Sequence, residues 1–378
     1  MKTNPLKQVE ELGQSIWLDY IRRDLLIAAA GNSDSPLRRL IQGDGLQGMT
    51  SNPAIFEKAI VEGHDYEADI RSMALEGKDA KAMYEAISQR DVQMAADEFR
   101  PVYNRLDGKD GYVSLEVNPH LARDTKATIA EARRLWAAVD RPNILIKVPG
   151  TLEGLPAIKQ LISEGININV TLLFGLPRYR QVAQAYIEGI ETRVSQGKDV
   201  AHVASVASFF LSRIDTLVDP LLQKIVAQGG ANAGLAGQAL GRVAIASAKM
   251  SYQIYKEIFN NGRFAKLKEK GGRAQRVLWA STGTKNSDYS DVKYVEALIG
   301  PDTINTVPVE TLNAYRDHGN PQALLEHDVG KAAGIMKQLN DLGINIDSIT
   351  QQLENDGVDK FNKPFDKLLE ALAKPLPR

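Results

Sequence analysis

Eight short runs of apolar and β-branched residues recur along the 378-residue chain, and the stretches between them carry helical periodicity. The runs are IWLDY from residue 16, LQGMTSN from 46, YVSLEV from 112, ILIKVPG from 144, INVTLLF from 168, ASVASFF from 204, RVLWAST from 276 and TINTVPV from 303. Runs of this length and composition read as strands. Between them, Leu155, Ile158, Leu161 and Ile162 keep helical spacing, as do Val182, Tyr186, Ile190 and Val194. Ile214, Leu217, Val218 and Leu221 do so again, then Val292, Val295, Leu298 and Ile299. Apolar residues three and four apart share one face of a helix, and that face must be buried.

Strands alternating with helices predict an α/β protein, and eight such units are the arithmetic of a single (β/α)8 TIM barrel. A doubly wound open sheet is the competing architecture. The segments from 53 to 111 and from 211 to 275 are long enough for more than one helix each. Helical patterns also continue past the eighth run, so extra helices are expected, including a C-terminal helical extension over or beside the barrel mouth. The helices from about 321 onward are read as covering the mouth. No Pro-, Gly- or Ser-rich linker divides the chain, so residues 1–378 read as one domain. The Gly/Ala-rich piece 229–241 reads as a loop opening a closely packed helix.

Several classes of function are excluded or disfavoured. A formal net charge of -1 gives no general attraction to nucleic acid or to anionic membranes. The chain has no cysteine, which removes disulfides, thiolate nucleophiles and Cys-ligated zinc. The polar N-terminus MKTNPLKQVEELGQ has no apolar core of a signal peptide, and no apolar run reaches membrane-spanning length. A cytoplasmic location is the default expectation. The five histidines, His64, His120, His202, His318 and His327, show no ligand spacing, so no metal site is expected. GDGLQG, with Gly43, Gly45 and Gly48, satisfies the dinucleotide pattern but leads into a strand instead of following one.

Side chains alternate across a strand, so residues two apart share a face. On this parity Asp19 pairs with Trp17, Thr50 with Asn52, Ser114 with Glu116, Leu145 with Lys147, Asn169 with Thr171, Ser208 with Phe210 and Ser281 with Trp279. The outward face of a barrel strand meets apolar helices, so the polar members should face the lumen. Each lies near the C-terminal end of its run, the rim where this fold builds active sites. Taken singly, strand-end Ser, Thr and Asn are turn or capping residues. Their shared parity across seven strands is what points to a site.

Lys147 is the most constraining of these residues, because it interrupts a run that otherwise reads as fully buried. An amine beside a carboxylate, in an apolar wall without metal ligands, suggests Schiff-base chemistry. Desolvation lowers the pKa of a lysine and frees the lone pair that attacks a ketone. The resulting iminium is an electron sink, so a neighbouring C–C bond can break without a metal. Dehydration of the carbinolamine needs a proton donor and acceptor, which Glu116 can supply through a water or Thr171. Asp19 is the acid left to act on the sugar hydroxyl.

MTSNP (49–53), SLEV (114–117), ILIKVPGT (144–151), NINVTLLF (167–174), SFFLSRID (208–215) and WASTGTKN (279–286) together resemble the transaldolase family, over most of the chain. The resemblance implies transfer of a dihydroxyacetone unit from a ketose phosphate, sedoheptulose 7-phosphate or fructose 6-phosphate, to an aldose phosphate, in the pentose phosphate pathway. It implies that Lys147 forms the Schiff base, that Asp19 is the acid–base residue for C–C cleavage, and that Glu116 and Thr171 handle a catalytic water. Thr50, Asn52, Asn169, Ser208 and Phe210 match residues that hold the dihydroxyacetone part or line the pocket, and Arg213 matches a phosphate-binding arginine. No cofactor is implied. The partners implied are phosphorylated sugars, with no nucleic acid and no membrane, acting on a monomer or homodimer. The better-known branch follows its seventh strand with Ser-x-Arg. Here Ser281 is followed by Thr282, Gly283, Thr284 and Lys285, as in the longer bacterial branch, and Lys285 is expected to supply the second charge. A fructose 6-phosphate aldolase-like enzyme and a catalytically silent sugar-phosphate-binding barrel are the rival readings. The aldolases are shorter and carry Gln and Tyr at the positions of Glu116 and Phe210.

Overall fold

Each of the eight expected runs is a strand in the computed structural model, which describes residues 4–29 and 31–374. They are β1 (Gln14–Asp19), β2 (Gly48–Thr50), β3 (Tyr112–Glu116), β4 (Ile144–Pro149), β5 (Ile168–Leu173), β6 (Ser205–Phe210), β7 (Arg276–Ala280) and β8 (Thr303–Val307). Every strand pairs in parallel with the next and β8 pairs with β1, so the sheet closes into a (β/α)8 barrel and the open-sheet alternative falls. Closure leaves no unpaired strand edge. Parallel strands need long crossovers, and the helices that make them cover the outer face.

The registers decide what faces inward. Asp19 pairs with Thr50, Glu116 with Lys147, Lys147 with Asn169, and Pro149 with Thr171. Partners in register lie on the same face, so these side chains project together at the C-terminal end of the lumen. Val113, Leu115, Ile144, Ile146, Val148 and Val170 alternate with them and are buried against the helices. The seventh strand departs from the expectation. Trp279 is in register with Phe209, whose ring meets Tyr179 of the helix Leu176–Ser195 edge-on. Trp279 therefore points outward, and the lumen positions of β7 are Arg276, Leu278 and Ala280. Ser281, past the strand end, has φ 54°, so simple alternation from Trp279 does not place it.

The floor of the barrel is a buried polar plug. Asp110, just before β3, accepts from Trp17 Nε1 at 2.6 Å and from Arg276 Nη2 at 2.9 Å, and also from the Ser15 hydroxyl. Gly48 makes room for this arrangement, since any Cβ there would collide with the Trp17 ring. GDGLQG is explained by the same geometry. Gly43 lies within the helix Pro36–Asp44, Gly45 is its left-handed cap, and Gly48 opens β2, which is the reverse of the strand-to-helix order a dinucleotide requires.

The segment 53–111 holds three helices, Pro53–Glu62, Glu67–Leu75 and Ala80–Arg105. The segment 211–275 holds four, Ser212–Gln228, Ala233–Ala239, Val243–Phe259 and Gly262–Lys268. The Gly/Ala-rich piece is a left-handed Gly229–Gly230 turn entering the short helix Ala233–Ala239, with Ala236 and Ala239 buried. The periodicity over Val292–Ile299 gives only one turn of helix, Lys293–Glu296, although Val292, Val295, Leu298 and Ile299 are all buried. Burial pattern alone does not distinguish a helix from a packed irregular segment ending at Gly300–Pro301.

The last helix, Ile346–Leu372, lies across the C-terminal ends of the strands. Its buried face, Thr350, Leu353, Gly357, Phe361, Phe365 and Leu368, repeats at three and four residues and is turned to the barrel mouth. Among the described residues no helix is long and apolar enough to cross a membrane.

Candidate active site

Lys147 is 4% exposed at the inner rim of β4. Its Nζ donates to the Ser51 carbonyl oxygen at 3.0 Å and lies 3.2 Å from Glu116 Oε2 on the neighbouring strand. That second approach is an ion pair outside hydrogen-bonding direction, since neither Glu116 oxygen has a hydrogen-bond partner in the protein. The Thr171 hydroxyl, two register pairs further out on β5, is likewise buried without a partner. Buried polar atoms are normally satisfied. Unsatisfied acceptors and a hydroxyl grouped around an amine are available to a bound substrate or a water.

Two carboxylates face this lysine with shifted affinities for protons. Burial pushes the Glu116 carboxyl above its ordinary value, Lys147 pulls it back, and the charge of Asp19 adds to the rise. Burial also raises Asp19, against the pull of Lys147, the Thr50 hydroxyl, Lys285 and Arg213. A carboxyl group whose proton affinity is raised by burial is better suited to give and take protons than a free one. Thr50 Oγ1 donates to Asp19 Oδ1 at 2.7 Å and meets Thr306 Oγ1, also at 2.7 Å. Below the lysine, Asn169 Nδ2 donates to Ser114 Oγ at 3.0 Å, and Ser208 Oγ donates to Asn169 Oδ1 at 2.6 Å. These bonds fix the orientation of the Asn169 amide.

Arg213 enters from the first turn of the helix after β6. Its guanidinium carbon lies 5.6 Å from the centre of the Phe210 ring, and its Nη1 is buried with no protein partner. Burial lowers its pKa and Asp19 opposes that. A half-buried guanidinium with an unpaired buried nitrogen leaves a donor free for an anion. Ser281 Oγ sits 2.9 Å from Ser212 Oγ, at the start of the same helix. Lys285 is exposed, on a loop pinned by Tyr289, whose hydroxyl donates to Asp219 at 2.7 Å. Its positive charge is one of those that oppose the rise of Asp19.

The barrel thus brings Lys147, Glu116, Asp19, Thr50, Thr171, Asn169, Ser208 and Phe210 to one end, with Arg213, Ser281 and Lys285 at one side of it. Asn52 is set apart. Its Oδ1 accepts from Ile55 N as the cap of the helix Pro53–Glu62, and it lines a cleft of about 800 Å³ that Asp19 shares. Three contributors escaped sequence reasoning. The Ser51 carbonyl is a backbone group with no residue signature. Phe361 comes from a helix whose placement no local pattern reveals. Thr306 was reachable, since parity on the eighth run puts it with Ile304.

All five histidines are exposed, and among the described residues no group of three or more metal-binding side chains is clustered.

A buried lysine–glutamate pair at the C-terminal rim of a closed parallel barrel defines a barrel enzyme built around an amine. The chain belongs to the transaldolase/fructose-6-phosphate aldolase family, whose model matches residues 16–372. It is similar to a transaldolase of Trichodesmium erythraeum, 46% identical over 98% of this chain and 97% of the relative. It is also similar to transaldolase 2 of Nostoc punctiforme, 44% identical over 98% and 97%, and to a transaldolase of Thermobifida fusca, 43% identical over 99% and 98%.

Proposed function

We propose that the protein is a transaldolase, a transferase that carries a dihydroxyacetone unit from a ketose phosphate to an aldose phosphate on Lys147. The observation that carries the reading is the buried amine of Lys147 beside the buried carboxyl of Glu116, at the rim where barrels do chemistry. Full-length similarity to curated transaldolases supports the substrate class.

In this reading the residues act in sequence. Lys147 passes a proton to Glu116, its free Nζ adds to the ketose C2, and the carbinolamine loses its hydroxyl as water when Glu116, relayed by Thr171, returns that proton. Asp19 takes the proton of the C4 hydroxyl. The C3–C4 bond breaks, its electron pair passes into the iminium, and an aldose phosphate leaves while an enamine stays on the lysine. The enamine carbon then attacks the incoming aldehyde, whose oxygen takes the proton back from Asp19. Water, admitted beside Glu116, adds to C2 and releases the new ketose. Asn169, Ser208 and Thr50 hold the hydroxyls of the three-carbon unit, Phe210 packs beside it, and Arg213 with Ser281 and Lys285 receives the phosphate. The reaction takes place within one domain, in the cytoplasm, within the pentose phosphate pathway.

The test is a product analysis. Given fructose 6-phosphate and erythrose 4-phosphate, the protein should yield sedoheptulose 7-phosphate and glyceraldehyde 3-phosphate in equal amounts. Free dihydroxyacetone as the main product would make it an aldolase, and no turnover in folded protein would make it a silent binder.

A further inference from the structure

Phe361 forms a roof over the reactive amine. The centre of its ring lies 5.7 Å from Lys147 Nζ, and the residue is 5% exposed. A cation within about 6 Å of an aromatic ring centre is attracted to its face. The ring reaches this position because its helix packs directly against β5. Gly357, one turn earlier on the same face, faces Leu172, and a Cβ there would lie 2.9 Å from Leu172 Cδ2. Leu172 itself has φ 61°, rare for a bulky side chain, where the β5–β6 register shifts between Val170 and Leu173. The strand is deformed at the place where the helix lands. Clamps flank the contact: Glu354 pairs with Arg178 at 3.1 Å, both largely buried, and Phe365 meets Tyr84 edge-on.

We propose that Phe361 decides the fate of the covalent intermediate, keeping it for transfer to an aldehyde and away from hydrolysis. This rests on the Schiff-base reading of Lys147. Both fates end with water adding to C2 and the C–N bond breaking. They differ in what the enamine carbon meets first. If it meets an aldehyde, a C–C bond forms, the carbonyl oxygen is protonated, and a longer ketose is released. If it meets a solvent proton, the three-carbon iminium is hydrolysed to dihydroxyacetone. A ring over the nitrogen displaces the solvent that would deliver that proton, and leaves water access on the Glu116 and Thr171 side. Its π-face also favours the cationic iminium, holding the unit in place.

The experiment measures two rates on the same protein: release of dihydroxyacetone from fructose 6-phosphate alone, and transfer in the presence of erythrose 4-phosphate. Phe361→Ala should raise the ratio of hydrolysis to transfer by about tenfold or more. Phe361→Leu restores apolar cover without the ring and should stay within about threefold of the unmodified protein. Gly357→Val, whose branched side chain meets Leu172 and Phe174 together and so forces the helix outward while leaving the ring intact, should shift the ratio in the same direction as Phe361→Ala, and serves if that variant does not fold. A ratio unchanged in Phe361→Ala or Gly357→Val, with Lys147 still trapped by borohydride, overturns the proposal. General loosening of the fold lowers both rates and leaves the ratio unchanged, so it also counts against it. Failure to trap any adduct in the unmodified protein would instead remove the Schiff-base reading on which the proposal stands.

Discussion

Lys147 Nζ lies 3.2 Å from Glu116 Oε2, on adjacent strands in direct register, and the Ser51 carbonyl oxygen takes a hydrogen bond from the same nitrogen. A buried ion pair is weak evidence for stability, because desolvation of both charges offsets much of their attraction. The strand register would have accommodated two apolar side chains. Retaining an amine and a carboxyl there, with Asp19 facing both, is intelligible as chemistry. Three predictions follow from the charges around this pair and the barrel beneath it.

Asp19 should trade stability for activity. Burial raises its pKa above the ordinary 3.8, so the unfolded chain releases this proton at a lower pH than the folded chain. Between the two values the folded state binds more protons, and stability falls as pH rises through that window. Glu116 acts in the same direction, from an ordinary 4.5. Asp19→Asn should therefore be more stable than the unmodified protein at pH 7, with the difference shrinking as pH falls towards 4. Its kcat should drop by about 10²–10⁴-fold. Urea denaturation at the two pH values, with kcat measured alongside, checks both halves.

Arg213 should act on the phosphate and nothing else. Charge-assisted hydrogen bonds contribute about 1.5–3 kcal/mol, so Arg213→Ala should raise KM for fructose 6-phosphate by roughly tenfold to a hundredfold. Lys285→Ala, at an exposed site and as a point charge, should raise it by less than about tenfold. Neither should change the slower reaction with unphosphorylated fructose. Equal losses with both sugars would place these residues elsewhere in the chemistry.

Asp110 should matter for folding and not for turnover. It joins Trp17, Ser15 and Arg276 at the barrel floor, and Asp110→Ala leaves the Arg276 charge buried without its partner. The expected loss is about 3–5 kcal/mol in chemical denaturation, with kcat per folded molecule unchanged. A fall in kcat at unchanged stability would mean that floor and rim are coupled.

The alternation of strand and helix was legible because parallel barrel strands are buried on both faces and helices on one, which are different sequence periods. Lumen parity was legible on most strands for the same reason. It failed at β7, where Trp279 packs outward on Phe209 and Ser281 turns left-handed. A tryptophan satisfies either face, and alternation carries no information beyond the last paired residue. Lys147, Glu116 and Asp19 were readable because charge in an apolar run is expensive. The Ser51 carbonyl was not, since backbone atoms leave no mark in composition. Nor was Phe361, whose contact spans more than two hundred residues of chain and depends on how deep one helix lies. The capping of Pro53–Glu62 by Asn52 shows the limit in reverse: its strand-end position had both a capping and a pocket reading, and the side-chain oxygen is engaged by the cap.

The central claim is that Lys147 forms a covalent bond to a ketose. The direct measurement is borohydride reduction of the protein after incubation with fructose 6-phosphate, followed by intact mass and peptide mapping. A stable adduct of dihydroxyacetone size on Lys147 is the predicted result. Folded protein with no adduct, or with the adduct on a different lysine, would contradict the account.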